Sequence, residues 1–209
     1  MMLAIVDYGV GNLFSLQSSL QRIGERTVVT GKKEQLQQAD RIILPGVGAF
    51  GDAAIKLQNS GLVSVLQQLA KEGKPLMGIC LGMQLLFEKS YEYGEHYGLG
   101  LLKGVIRPIG DVIPSNLKIP HMGWNSLHLQ KQHQLFKYIN ENDYVYFVHS
   151  YYATDCDESV LATAEYGTPL TAAVGKNNVL GCQFHPEKSG NVGLKILQAF
   201  CEMKVGQKC

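Results

Sequence analysis

Apolar and polar positions follow two alternating patterns along the first 90 residues of the chain. Short apolar runs bounded by glycine or proline predict strands at residues 3–6, 28–29, 41–44 and 75–79. Between them lie stretches of helical periodicity, and the first places Leu13, Leu16, Leu20 and Ile23 on one face. This alternation is typical of a sheet that is covered by helices.

The second half of the chain changes character, because β-rich segments replace most of the helical runs. The predicted strands there cover residues 101–112, 126–129, 144–148, 160–165, 170–174 and 179–184. A short helical pattern at 84–88 precedes these strands, and a longer one at 192–203 follows them. No linker or internal repeat divides the sequence, so we expect one α/β domain over residues 1–209.

The charge balance and the cysteines narrow the class of protein. Nineteen basic and eighteen acidic residues leave a net charge of +1, which gives no field that would attract nucleic acid or an anionic membrane. No uncharged stretch approaches the roughly 20 residues of a membrane-spanning helix, and the first residues lack a signal-peptide pattern, so we expect a cytoplasmic protein. Five scattered cysteines without a C-x-x-C pair predict neither disulfides nor a zinc site.

Residues 46–51 match the Gly-x-Gly-x-x-Gly pattern of a dinucleotide-binding loop and follow a predicted strand. Such a site also needs an acidic residue near the end of the next strand, where this sequence has Cys80. We interpret Gly46 and Gly48 as turn glycines, which let the peptide N–H of Val47 approach a ligand or reorient. A nucleotide-binding or catalytically inactive interaction module is an alternative interpretation.

Cys80 lies where the predicted strand 75–79 runs into a helical segment, with Gly78 and Gly82 on either side. This is the arrangement of a nucleophile elbow, in which a sharp turn forces the nucleophile into a tight backbone conformation and small neighbours leave room for the substrate. The start of the following helix also favours a thiolate over a thiol. The competing interpretation is an inert buried cysteine, which is the more common fate of a lone cysteine.

A partner base is available in Phe184-His185-Pro186-Glu187, which follows the last apolar run. His185 and Glu187 are two positions apart and project to the same side of an extended chain, so the carboxylate can hold one ring nitrogen while the other faces the thiol. A nucleophile, a base and an orienting group are the three roles of a catalytic triad. The surrounding sequence offers no third and fourth ligands at usable spacing, so a metal site is not expected.

These motifs resemble those of the class I glutamine amidotransferases, whose triad is Cys, His and Glu. The resemblance covers the whole chain through D-Y-G-V-G-N at residues 7–12, P-G-V-G at 45–48, C-L-G-M-Q at 80–84, H-M-G-W-N at 121–125, Y-F-V-H-S-Y at 146–151 and F-H-P-E at 184–187. It implies a flavodoxin-like α/β fold with a mixed, largely parallel sheet flanked by helices, and it implies no cofactor.

The resemblance also assigns roles to individual residues. Cys80 is expected to attack the side-chain amide of glutamine, with His185 as base and then acid and Glu187 as its orienting partner. The N–H groups of Val47 and Leu81 are expected to stabilise the oxyanion. The positions that hold L-glutamine in the family correspond to Gly48, Gln84, Glu92, Ser150 and Tyr151.

The segment H-M-G-W-N is similar to one branch of the family, in which the glutaminase is one half of a heterodimer. There it passes ammonia to a cyclase subunit, a (β/α)₈ barrel, in histidine biosynthesis. Asn12, Trp124 and Lys188 match positions that face the cyclase in that branch. A glutaminase subunit of another ammonia-dependent synthase would keep the same catalytic motifs, so that alternative stays open.

Overall fold

The apolar runs form strands and the amphipathic stretches form helices in the computed structural model, which describes residues 1–203. The strands are β1 Leu3–Val6, β2 Thr27–Thr30, β3 Arg41–Leu44, β4 Leu76–Ile79, β5 Lys89–Ser90, β6 His96–Tyr97, β7 Val105–Pro108, β8 His121–Ser126, β9 His128–Leu129, β10 Tyr144–His149, β11 Tyr151–Thr154, β12 Val160–Glu165, β13 Pro169–Lys176 and β14 Val179–Cys182. The helices are α1 Leu13–Arg22, α2 Lys33–Gln38, α3 Phe50–Asn59, α4 Val63–Lys71, α5 Leu81–Gln84 and α6 Gly190–Cys201.

Eight of these strands form the central sheet in the order β2-β1-β3-β4-β14-β13-β12-β9. Neighbours from β2 to β14 are parallel, whereas β13, β12 and β9 are added by antiparallel pairing. The parallel pairing of β14 with β4 brings a late segment of the chain into the middle of the sheet, with Cys182 opposite Ile79. Two smaller sheets accompany it, β10-β8 and β11-β7-β5-β6.

Both faces of the parallel half are buried, which explains why its strands read as uninterrupted apolar runs. On one face, Ala4 and Val6 of β1 join the apolar cluster that α3 and α4 cover. On the other face, Leu3 and Ile5 join the cluster beneath α1 and α6. The predicted α/β fold, with a mixed and largely parallel sheet flanked by helices, is confirmed.

The helix predicted at 84–88 is displaced. The structure has a single helical turn at Leu81–Gln84, directly after Cys80. Carbonyls of residues 85–87 accept hydrogen bonds from the N–H groups of residues 99–102, so they are not available to a next helical turn. The apolar positions after Gln84 therefore pack beneath a returning loop.

Two predicted strands were drawn with the wrong bounds. The segment 101–112 is extended only at Val105–Pro108, because Gly104 has a φ of +123° and a 3-10 helix follows at Ile109–Asp111. The segment 126–129 is divided between β8 and β9, which belong to different sheets.

The described residues also bear on the predictions about cysteines, metals and membranes. The thiols of Cys80, Cys156, Cys182 and Cys201 are free and buried, while Cys209 lies outside residues 1–203. Within that range, no group of three or more His, Cys, Asp or Glu side chains is placed to hold a metal ion. None of the helices described there is long and apolar enough to cross a membrane.

Candidate active site

Cys80 occupies a sharp turn between β4 and α5. Its φ of +54° and ψ of −114° are rare for a residue with a side chain, as expected for a nucleophile elbow. The turn is closed by very near backbone neighbours, since a Cβ on Gly82 would lie 1.9 Å from the carbonyl oxygen of Leu44 and one on Gly78 would lie 2.5 Å from that of Gly82. Glycine is therefore required at both positions if Cys80 is to be held at this angle.

His185 and Glu187 approach Cys80 along the neighbouring strand. The N–H of Cys80 donates to the carbonyl of Cys182 at 2.8 Å, so the chain that follows β14 passes beside the elbow. Nδ1 of His185 lies 2.7 Å from Oε1 of Glu187, and both side chains are buried. This contact assigns the proton on Nδ1 to the carboxylate side and leaves Nε2 to face the thiol.

Burial and hydrogen bonding have opposite effects on the pKa of His185. Burial by itself lowers the pKa of the imidazole, but hydrogen bonds to Cys80 and Glu187 outweigh it and raise the pKa to about 9. His185 is therefore protonated at neutral pH and presents a positive charge to the sulfur of Cys80. The resting arrangement is an imidazolium held between the sulfur of Cys80 and the carboxylate of Glu187.

Cys80 lines a cleft of about 300 Å³. Nine of the ten residues predicted to be catalytic, to form the oxyanion hole or to bind substrate line it, and Glu187 lies behind His185. The lining residues are Val47, Gly48, Cys80, Leu81, Gln84, Glu92, Pro120, Val148, His149, Ser150, Tyr151 and His185.

The predicted oxyanion donors lie on the two segments next to the sulfur. Leu81 is the first residue of α5, where a backbone N–H has no partner within the helix. The loop of Val47 packs directly on the elbow, because a Cβ on Gly46 would lie 2.7 Å from the nitrogen of Gly82. Gly48 has a φ of +93°, so the peptide unit of Val47 is bounded by a residue that tolerates a wide range of backbone angles.

Glu92 and Gln84 supply charge and polarity to the cleft. Oε2 of Glu92 accepts a hydrogen bond from the N–H of Phe50 at 2.6 Å, which fixes the carboxylate. Burial raises the pKa of Glu92, and the bond from Phe50 offsets this rise in part. Nε2 of Gln84 donates to the carbonyl of Tyr151 at 3.1 Å, so the orientation of its amide is set by the protein.

None of the three residues predicted to face a partner lines the cleft. Trp124 of β8 is 55% exposed, and its ring meets Tyr146 of β10 edge to face at 6.1 Å. Nζ of Lys188 lies 5.9 Å above the same Tyr146 ring, so the three side chains form one surface. Asn12 caps α1, with its Oδ1 accepting from the N–H of Ser15 at 3.4 Å.

Known proteins show which family has this site. The family model described as "Glutamine amidotransferase class-I" matches residues 4–203. The chain belongs to this family. It is a glutamine amidotransferase by sequence, by fold and by the residues gathered around its cysteine.

The sequence is also similar to individual members of the family. It is 52% identical over 201 residues to "Imidazole glycerol phosphate synthase subunit HisH" of Lactococcus lactis, covering 96% of this chain and 98% of the relative. It is 49% identical over 203 residues to the subunit of the same name from Oceanobacillus iheyensis, covering 97% and 99%. Among solved structures, PurLQS from Thermotoga maritima superposes with a TM-score of 0.75 at 23% identity, covering 96% of this chain and 97% of that one, and shows the shared fold alone.

Two buried polar residues, one lining the cleft of the amidotransferase and one beside its cysteine, were missed from the sequence. Gln183 is fully buried, with its Nε2 3.7 Å from the sulfur of Cys80. His149 lines the cleft, and its Nε2 lies 3.0 Å from Nδ1 of His121. The alternation of a strand held a signal for Gln183, because it is two positions before His185 and shares its side of the chain.

The protonation of His185 in the amidotransferase is directly measurable. In the variant Cys80→Ala we expect the imidazole to lose its proton below the wild-type value of about 9, because one of the contacts that raise the pKa is gone. Nitrogen-15 NMR titration of the ring measures this. The buried Cys156→Ala variant is the control and should titrate as wild type, whereas a titration unchanged in Cys80→Ala would contradict the arrangement.

The same shift fixes the sign of a contribution to stability. The pKa of about 9 in the folded state exceeds the unfolded value of about 6.5, so folding takes up a proton between them. The contribution of His185 to the free energy of unfolding is therefore complete below about pH 6.5 and is lost as pH rises through about 9.

Proposed function

We propose that the chain is the glutaminase subunit of imidazole glycerol phosphate synthase. It hydrolyses L-glutamine to glutamate and ammonia and passes the ammonia to the cyclase subunit, a (β/α)₈ barrel in the same heterodimer. The cyclase forms imidazole glycerol phosphate and aminoimidazole carboxamide ribotide, a step of L-histidine biosynthesis, and we place the pair in the cytoplasm. The supporting observation is an identity near one half, over almost the full length, to subunits of that name.

The first half-reaction releases ammonia. The thiolate of Cys80 attacks the side-chain amide carbon of glutamine, a carbon–sulfur bond forms, and the carbonyl oxygen becomes an oxyanion. His185, which has already taken the proton of the thiol, gives it to the amide nitrogen, the carbon–nitrogen bond breaks, and ammonia leaves. A γ-glutamyl thioester stays on Cys80, and Glu187 keeps the imidazole in the orientation that both transfers require.

The second half-reaction restores the nucleophile. His185, now neutral, takes a proton from a water molecule that attacks the thioester carbon. The carbon–sulfur bond breaks, its electron pair returns to the sulfur, and glutamate leaves. The imidazolium–thiolate pair is then ready for another glutamine.

The other cleft residues hold the substrate and its transition states. We assign the oxyanion to the N–H groups of Val47 and Leu81, which flank the sulfur on two segments. Glu92 supplies the negative charge that the α-ammonium group of glutamine needs, and binding that cation would offset the burial that raises the pKa of Glu92. Gly48, Gln84, Ser150 and Tyr151 complete the walls around the ligand.

The oxyanion loop also offers a switch. The hydroxyl of Tyr8 donates to the carbonyl of Pro45 at 2.9 Å and anchors the start of the loop. Beyond that anchor, the Val47 peptide can turn its N–H towards or away from the oxyanion at modest cost, since glycines flank it. A missing oxyanion donor lowers the rate about 10²- to 10³-fold, so we propose that the isolated chain is a poor glutaminase until the cyclase docks.

The docking surface is assigned to the aromatic patch formed by Trp124, Tyr146 and Lys188. Tyr146 accepts a hydrogen bond at its carbonyl from the N–H of His185 at 2.9 Å, so the patch is one bond away from the catalytic base. Lys188 follows the triad carboxylate in sequence. A partner that binds this surface and shifts Tyr146 would therefore also shift His185.

Replacement of the nucleophile tests the division of labour between the subunits. We expect Cys80→Ala, assembled with the cyclase, to lose glutamine-dependent synthesis and to keep synthesis from an added ammonium salt, because the thiol acts only in releasing ammonia. Cyclase product is measured with each nitrogen source. The Cys156→Ala complex is the matched control and should use both.

Glutamine hydrolysis by purified Cys80→Ala would show that Cys80 is not the nucleophile. In a second outcome, the wild-type pair hydrolyses glutamine without forming the cyclase product. That result would show that the ammonia serves another synthase.

The aromatic patch is tested by Trp124→Ala. We expect this variant to lose most of the cyclase-stimulated glutaminase rate and to keep the basal rate and the thermal midpoint, because an exposed ring contributes more to docking than to the fold. The control is Tyr138→Ala, another exposed aromatic, whose hydroxyl bonds Glu202 near the end of α6. Equal stimulation of both variants would remove Trp124 from the interface.

A further inference from the structure

Gln183 places a buried amide against the reactive sulfur. It directly follows β14, beside the elbow, and its side chain is completely buried. Nε2 of Gln183 lies 3.7 Å from Sγ of Cys80, a hydrogen-bond distance for an N–H donor to sulfur. His185 also interacts with this sulfur, since a hydrogen bond to Cys80 is among the contacts that raise the pKa of its imidazole.

A chain of hydrogen bonds fixes which end of the Gln183 amide faces the sulfur. Gln84 donates through Nε2 to the carbonyl of Tyr151 at 3.1 Å, and that carbonyl can only accept. The same Nε2 donates to Oε1 of Gln183 at 2.9 Å. Oε1 of Gln183 is therefore the acceptor end, and its Nε2–H group is directed at Cys80.

We propose that Gln183 is a further catalytic residue, whose amide N–H stabilises negative charge on the sulfur of Cys80. This inference rests on the proposed function, because it assigns Gln183 a part in thioester chemistry. The donor acts at two moments. It holds the thiolate before attack, and it receives the electron pair that returns to sulfur when water breaks the carbon–sulfur bond.

The second moment gives Gln183 a task that His185 cannot perform at the same time. During hydrolysis of the thioester, His185 is occupied with the proton of the attacking water. The departing sulfur then gains charge while its imidazole partner turns to the water. A second donor that is fixed by Gln84 remains in place throughout, and hydrogen bonds to a charged group are the strong ones.

The variant Gln183→Met tests the contact in the full-length chain. It keeps the approximate size of the side chain and removes the donor. The probe is iodoacetamide, with alkylation of the Cys80 peptide followed by mass spectrometry over a range of pH. We expect the rate at pH 7 to fall about tenfold and the pH profile to move about one unit higher, with wild type and variant converging at alkaline pH.

Steady-state kinetics with the assembled cyclase provide the second readout. We expect Gln183→Met to lower kcat for glutamine hydrolysis about tenfold or more, with KM changed less than about threefold, because the donor acts on the sulfur and not on bound glutamine. Gln67→Met is the matched control. It removes a glutamine amide that bonds the carbonyl of Leu99 at 2.8 Å, outside the cleft, and should leave both readouts unchanged.

A second variant, Gln183→Glu, tests the proposal if Gln183→Met does not fold. Gln183→Glu keeps the acceptor for Gln84 and places a carboxylate oxygen against the sulfur, so its alkylation profile should move further in the same direction. Profiles of both variants that superpose on wild type would overturn the proposal. Alkylation needs neither glutamine nor the cyclase, so that outcome is distinct from failure of the proposed function, which would appear as a wild-type complex that does not hydrolyse glutamine.

Discussion

The parallel pairing of β4 with β14 is the constraint on which the site depends. Ile79 lies opposite Cys182, so the chain leaves both strands at the same edge of the sheet and places Cys80 beside the residues that lead to His185. About a hundred positions of sequence separate Cys80 from His185. Backbone hydrogen bonds between buried strands hold them together, and rigid elements position reactive groups better than mobile loops do.

Close backbone approach is the second requirement, and glycine meets it. Gly46, Gly78 and Gly82 bring the oxyanion loop, β4 and α5 within distances that no Cβ would tolerate. This packing lets Cys80 keep a positive φ, because the surrounding structure over-determines the conformation. It also leaves room above the sulfur for a substrate. The positive φ of Cys80 is unfavourable for a residue with a side chain, and packing against the rest of the sheet maintains it.

Local patterns in the sequence predicted much of the fold. A parallel strand that is buried on both faces is an uninterrupted apolar run, so each such strand can be recognised from its own residues. The run Leu3–Val6 and the stripe on α1 are examples. Helix α2 escaped prediction because Leu36 is its one buried residue, which gives no apolar stripe. The short strands β5 and β6 escaped because two residues carry no periodicity.

The site was predictable to the extent that its parts are local. The elbow around Cys80 and the pair His185 and Glu187 are contiguous motifs, whereas the remaining cleft residues came from family resemblance. The pairing of β14 with β4 is non-local, and so the contact between Gln183 and the sulfur could not be read from the chain. The carbonyls of residues 85–87 show the same limit, since a distant loop decided their hydrogen bonds.

If Cys80 carries the glutamyl group between the two half-reactions, that group can be trapped on its sulfur. The most direct measurement is mass spectrometry of peptides from the wild-type complex, quenched in acid during turnover of glutamine. We expect a γ-glutamyl group on the peptide that contains Cys80, at a level that falls once glutamine is exhausted. Turnover without any adduct on that peptide, or with an adduct on another residue, would contradict it.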